Sequence, residues 1–153
     1  MLGMIIVLPT VIKVYALALF EGKKKAVTHF GPRVTAMAKW SLRFWVPKLK
    51  DASDFGLFAP RMKARFWLWK PFYDITVVRD DENTFELRVE NCPFCEAFNK
   101  FGLPALGPYL CQGDWDMAKE NADKWQFERE HQIGTGDDFC DHTYLRKENS
   151  LRI

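Results

Sequence analysis

Tyr73-Asp74-Ile75-Thr76-Val77-Val78 leads through Arg79 into the polar run Asp80-Asp81-Glu82-Asn83, and then into Thr84-Phe85-Glu86-Leu87-Arg88-Val89-Glu90. The first segment is rich in β-branched residues and the last alternates apolar and polar at every step. Two such runs around an acidic turn predict a β-hairpin with one buried face. Downstream, Trp125 to Ile133 and Phe139 to Tyr144 read as a second strand pair, joined by the turn Gly134-Thr135-Gly136-Asp137-Asp138. Between the two pairs, Asp114 to about Asp123 can form a helix with acidic residues near its amino end, as the helix dipole favours. Phe101 to Cys111 holds Gly102, Pro104, Gly107 and Pro108, and is expected to be a loop into a short helical turn that ends at Cys111.

Upstream of the hairpin the period changes. Thr10 to about Ala26 and Arg33 to about Val46 are rich in Ala, Leu, Lys and Arg, so two helices are expected, with Gly31-Pro32 ending one and starting the next. Pro47, Gly56 and Pro60 punctuate a loop around Asp51-Ala52-Ser53-Asp54, and Arg61 to Trp69 is a short helix or strand. These readings give an α+β fold: amino-terminal helices packed on a mostly antiparallel sheet of about four strands. With 153 residues the chain can bury one core, so a single domain is expected over 1–153. Within it lie an apolar helical segment with a basic flank (1–25), a basic, aromatic helical layer (26–70), and a sheet that bears the site (73–147).

A hydrophobic content of 48% excludes full disorder, and 4 cysteines are too few for a disulfide-stapled secreted scaffold. The thiols are therefore expected to be reduced, as in the cytoplasm. The apolar start has no basic region before it and no small-residue cleavage site precedes Glu21, so no secretory leader is expected. Met1 to Phe20 is nearly as long as a bilayer span, but Pro9 interrupts it and Lys13 sits near its middle; an interfacial or buried helix fits better.

Charge is unevenly distributed. Residues 1–79 hold 14 Lys and Arg against 4 Asp and Glu, whereas 80–153 hold 8 against 16, so the two parts carry +10 and −8. In the basic part, cations interleave with Trp40, Trp45, Trp67 and Trp69. No nucleic-acid module accompanies them, and nucleic-acid binding is not expected. Lys23-Lys24-Lys25 after the apolar start suggests docking on a protein partner or on the inner face of the membrane.

The chemistry-bearing residues fall in the second half. Cys92-Pro93-Phe94-Cys95 has the spacing at which a tight turn can aim two sulfurs at one metal, and Cys111 and Cys140 could complete a zinc or iron–sulfur site. The same cysteines could equally be small buried apolar residues. On a strand Cys140 and His142 share a face and Asp141 takes the other. Gly134-Thr135-Gly136 lacks the third glycine of a dinucleotide loop, and the acidic pair after it would repel phosphate, so it reads as a turn.

Leu110-Cys111-Gln112-Gly113-Asp114, then Phe127-Glu128-Arg129, then Ile133-Gly134-Thr135-Gly136-Asp137-Asp138-Phe139-Cys140-Asp141 resembles the carboxy-terminal signature of the L-2-amino-thiazoline-4-carboxylic acid hydrolase family. The resemblance covers roughly Tyr73 to Lys147. It implies hydrolysis of a C–N bond in a cyclic amidine, with water added at the ring carbon between nitrogen and sulfur. In that reading Cys111 or Cys140 attacks, Asp114 or His142 serves as base, and Arg129 clamps the substrate carboxylate. A fainter likeness links the last strand pair to 4-vinyl-reductase-type ligand-binding domains, through Glu128 and Cys140. The alternative is a non-catalytic metal-binding or small-ligand-binding subunit of a larger, membrane-associated complex. It is favoured by His131 and His142, which stand where the family pattern has a small hydroxylated residue and an aromatic.

Overall fold

The computed structural model describes residues 2–147, so Met1 at the start of the apolar segment and residues 148–153 of the expected domain lie outside the described part. Helix α1 (Leu2–Glu21) runs into α2 (Lys23–Leu42) through Gly22, whose φ of 83° is one that residues with a Cβ adopt at a cost. The expected break at Gly31-Pro32 does not occur: both residues lie inside α2. Gly31 instead lets the ring of Tyr109 approach so closely that no Cβ would fit, and the Thr35 hydroxyl donates to the Tyr109 carbonyl at 2.7 Å. Burial of Ala26, Val27, Phe30, Val34 and Ala38 on both sides of the proline offsets the roughly 3 kcal/mol that an interior proline costs.

A 3₁₀ turn (Ala52–Leu57) capped by the Asp51 carboxylate leads into two short helices, α3 (Phe58–Lys63) and α4 (Phe66–Trp69), so Arg61 to Trp69 is helical. The predicted hairpin follows as β1 (Ile75–Asp80) and β2 (Thr84–Val89), paired antiparallel. Asp81 holds the turn by accepting from the N–H groups of Asn83 and Thr84.

Next, α5 (Pro93–Lys100) places Pro93 in its first turn, where a missing N–H costs nothing. A 3₁₀ turn (Pro104–Leu106) then feeds α6 (Gly107–Glu120). Here the structure again departs from expectation, because the helix runs through Cys111 instead of starting after it. Pro108 lies in its first turn, so the glycines and prolines that discouraged a helix all fall at or before its start. As a result Cys111 and Asp114 stand three residues apart on one helix face.

The second strand pair is β3 (Trp125–Glu128) and β4 (Cys140–Arg146). β3 ends well before Ile133, because Ile133–Thr135 forms a 3₁₀ turn. The sheet order is β1-β2-β4-β3, every neighbouring pair antiparallel. The architecture is thus α+β, with the helices leading the chain and a four-stranded antiparallel sheet. Pairing of Phe85 with Tyr144, Leu87 with His142 and Val89 with Cys140 puts all six on one face. That face packs under the helices in a core built on Phe58, Met62, Phe85, Trp125 and Tyr144. A second cluster joins α1, α2 and α5 through Val7, Val14, Phe30, Val34 and Phe98.

Candidate active site: a thiol row beside a buried ion pair

A cavity of about 100 Å³ lies between the sheet and the helices above it. Its walls are mainly apolar and aromatic, from Leu42, Trp45, Tyr73, Leu87, Leu110 and Tyr144. The same walls carry Cys92, Cys111, Asp114, Cys140 and His142. α6 supplies Cys111 and Asp114 from one face. β4 supplies Cys140 and His142, two residues apart as the strand period requires.

Four free thiols form a row, with Cys92 next to Cys95, Cys95 next to Cys111, and Cys111 next to Cys140. Cys111 is the member whose surroundings favour the thiolate. Its pKa is pulled down to about 3 by the S–H groups of Cys140 and then Cys95, aided by the charge of Arg129 and the N–H of Gly134. Cys95 and Cys140 are pushed far up, because each keeps its proton as an S–H donor toward Cys111 and is itself buried. The N–H of Ile133 donates to Cys140 Sγ at 3.2 Å. The turn Gly134-Thr135-Gly136, read from sequence as a plain hairpin turn, therefore serves the site. It can approach because two glycines meet: a Cβ on Gly107 would lie 2.6 Å from the Gly134 carbonyl oxygen, and one on Gly134 would lie 2.5 Å from Cys111 Sγ. The spacing of Gly107 and Gly134 gives no local signal of this encounter.

The metal-ligand reading of Cys92, Cys95, Cys111 and Cys140 finds no support. Among the described residues, no group of three or more His, Cys, Asp or Glu side chains could hold a metal ion. A row of neighbouring sulfurs is not four donors around one centre.

Arg129 is the hub. Its side chain is 1% exposed, and its Nη2 reaches Asp114 Oδ2 at 2.8 Å and His142 Nε2 at 2.7 Å. Its Nε donates to the Asp141 carbonyl and its Nη1 to the Cys111 carbonyl. Burial opposes the guanidinium charge, but Asp114 and the neighbouring thiols outweigh it and hold the pKa above its ordinary value. Every donor group of Arg129 thus has a partner within the protein, where the sequence reading gave it a substrate carboxylate. Burial raises the Asp114 pKa in spite of the Arg129 charge. Asp141, on the other sheet face, accepts from the N–H groups of Glu130 and His131 and fixes the connection leaving β3.

His142 is held well below the ordinary histidine range by burial and then by Arg129. A guanidinium can only donate, so Nε2 accepts and the proton of the neutral ring sits on Nδ1. The unfolded chain takes up a proton at His142 below about pH 6.5 and the folded chain does not, so acid removes stability. We expect wild type to lose up to about 1.4 kcal/mol per pH unit from this residue between pH 6.5 and 5. The raised pKa of Asp114 acts in the opposite sense, and His142→Gln isolates the histidine. Urea unfolding of the two proteins at several pH values measures it, and equal slopes in both would rule the assignment out.

The family model for L-2-amino-thiazoline-4-carboxylic acid hydrolase matches residues 14–144. No curated protein matches the chain, and the likeness to 4-vinyl-reductase-type domains has no counterpart in these comparisons. The match takes in α2, β1 to β3, most of β4 and every residue of the thiol row and the ion pair, reaching far upstream of the carboxy-terminal signature. On that extent, the chain belongs to the L-2-amino-thiazoline-4-carboxylic acid hydrolase family.

Proposed function

We propose that this protein is a thiol-dependent hydrolase that opens a cyclic amidine at its C–N bond, with Cys111 as the nucleophile. The observation that carries the reading is the setting of Cys111: a sulfur in the cavity wall, packed against the Gly134 backbone beside the Cys140 and Cys95 thiols and near the buried Arg129 cation. A thiolate is the reactive form of cysteine, and such surroundings create one at neutral pH.

In this reading Cys111 Sγ adds to the ring carbon between nitrogen and sulfur. The ring C–N bond then breaks as the nitrogen takes a proton from the Cys140 thiol or His142 Nδ1, both in the cavity wall. Water, deprotonated toward Asp114, displaces Cys111 and leaves a carbamoyl group on the substrate sulfur. Arg129 acts as a positioning residue that holds Asp114 and His142 in register.

Among the described residues, no lysine or arginine lines the cavity wall, whose acidic groups are Asp114 and the Cys111 thiol. A substrate carboxylate would have no cation beside it there, and burying an unpaired carboxylate is costly. The cavity therefore favours a single-ring amidine whose substituent is apolar. The test is turnover of two purified probes, 2-amino-thiazoline-4-carboxylate and 2-amino-4-phenylthiazoline, followed by chromatography of the ring-opened S-carbamoyl amine. Turnover of either that is lost in Cys111→Ala supports the hydrolase reading, and faster turnover of the phenyl probe supports the apolar subsite. No turnover of either probe sinks the proposal.

A further inference from the structure

We propose that the outer face of α1 seats on an anionic lipid surface, with the helix lying along the bilayer instead of crossing it. Helix α1 is apolar nearly all round, with a mean hydropathy of 2.1 within Gly3–Glu21, yet only 22% of the residues of that stretch are buried. Gly3, Val7, Val11 and Val14, spaced by four, four and three residues, form the inward stripe that meets α2 and α5. Ile5, Ile6, Leu8, Ile12, Leu19 and Phe20 are exposed, Leu19 at 85% and Phe20 at 87%. A helix that is hydrophobic on all sides requires an apolar neighbour on all sides, and here one side has none.

Charge selects the occupant. The part of the chain that bears α1 carries +10, and Lys13, Lys24 and Lys25 are exposed along and just beyond the helix. A second copy on the same face would bring Lys13, near the middle of the helix, against Lys13 of its twin, leaving like charges in an apolar contact. Anionic headgroups instead meet these lysines, whose stems reach from the apolar layer to the phosphates. Crossing is excluded by the packing. α2 and α5 cover one flank of α1, and the Tyr15 hydroxyl donates to the Phe101 carbonyl at 2.7 Å, so the helix is fixed lengthwise on the domain.

The test is co-sedimentation of the full chain with phosphatidylglycerol–phosphatidylcholine vesicles and with pure phosphatidylcholine vesicles, at low and high salt. We expect binding to the anionic vesicles that weakens with salt, and binding to the neutral ones at least about tenfold weaker. The double variant Leu19→Asp/Phe20→Asp alters only exposed positions and is expected to lose binding at least about tenfold with its melting temperature unchanged. Lys24→Gln/Lys25→Gln should lower affinity for anionic vesicles by about tenfold or more while leaving the neutral ones unaffected. Failure to sediment with anionic vesicles at low salt overturns the proposal, as does equal binding to both lipids. A salt-stable dimer that the double variant splits would assign the face to a second copy and overturn it too.

Discussion

Cys111→Ser is expected to lower turnover of a cyclic amidine by about a thousandfold or more while leaving the fold intact. Serine fits the space, but an alcohol cannot be ionised by donors that suffice for a thiol, so the nucleophile is lost while the cavity remains. The pH dependence makes the expectation sharper. With the Cys111 pKa drawn down to about 3, the thiolate is fully present above that value and is lost only below it. Carboxamidomethylation of Cys111 by iodoacetamide should therefore run at a constant rate between pH 5 and pH 8, where an ordinary thiol gains about tenfold per unit. Cys140→Ala removes the first of the S–H donors and should restore part of the usual slope. An unperturbed tenfold rise per pH unit in the wild-type protein, measured by peptide mass mapping of Cys111, would refute the account of the thiol row.

Arg129→Met is expected to destabilise the protein by about 3–5 kcal/mol, because breaking a buried ion pair leaves the other charge unpaired. Asp114 is 13% exposed and Arg129 1%, so solvent screening offers little relief. The same substitution frees the carbonyls of Cys111 and Asp141, which tie α6 to β4, and removes the partner of His142 Nε2. For a chain of this size the melting temperature should fall by about 10 °C or more. Arg129→Met/Asp114→Leu should recover a substantial part of the loss, since it removes the orphaned carboxylate along with its partner. Urea unfolding of the three proteins decides it. A single variant within about 1 kcal/mol of wild type, or a double variant no better than the single, would show that the pair does not hold this part of the fold.

The sequence by itself determined whatever depends on neighbours along the chain. Strict alternation from Thr84 to Val89 specified a strand with one buried face, and the acidic run before it specified the turn, because side chains on a strand change sides at every residue. The same period assigned Cys140 and His142 to one face, and both meet the cavity. The helix-first, sheet-second order followed from the change of period near Tyr73. Tertiary structure decided the rest. Gly31-Pro32 has the local form of a helix break, yet α2 continues through it because the packing of Gly31 and Thr35 on Tyr109 lies 74 residues away along the chain. The placement of β4 between β2 and β3, the meeting of Gly107 with Gly134, and the row of thiols each join segments far apart in sequence. Arg129 shows the difference most directly. Its residue type announced a cation for a carboxylate, but only folding determined that the carboxylate is Asp114 and that backbone carbonyls and His142 take the remaining donors. Local period is written into the order of residues, whereas the partner of a buried charge is settled by whichever group the packing of distant elements brings within hydrogen-bonding reach.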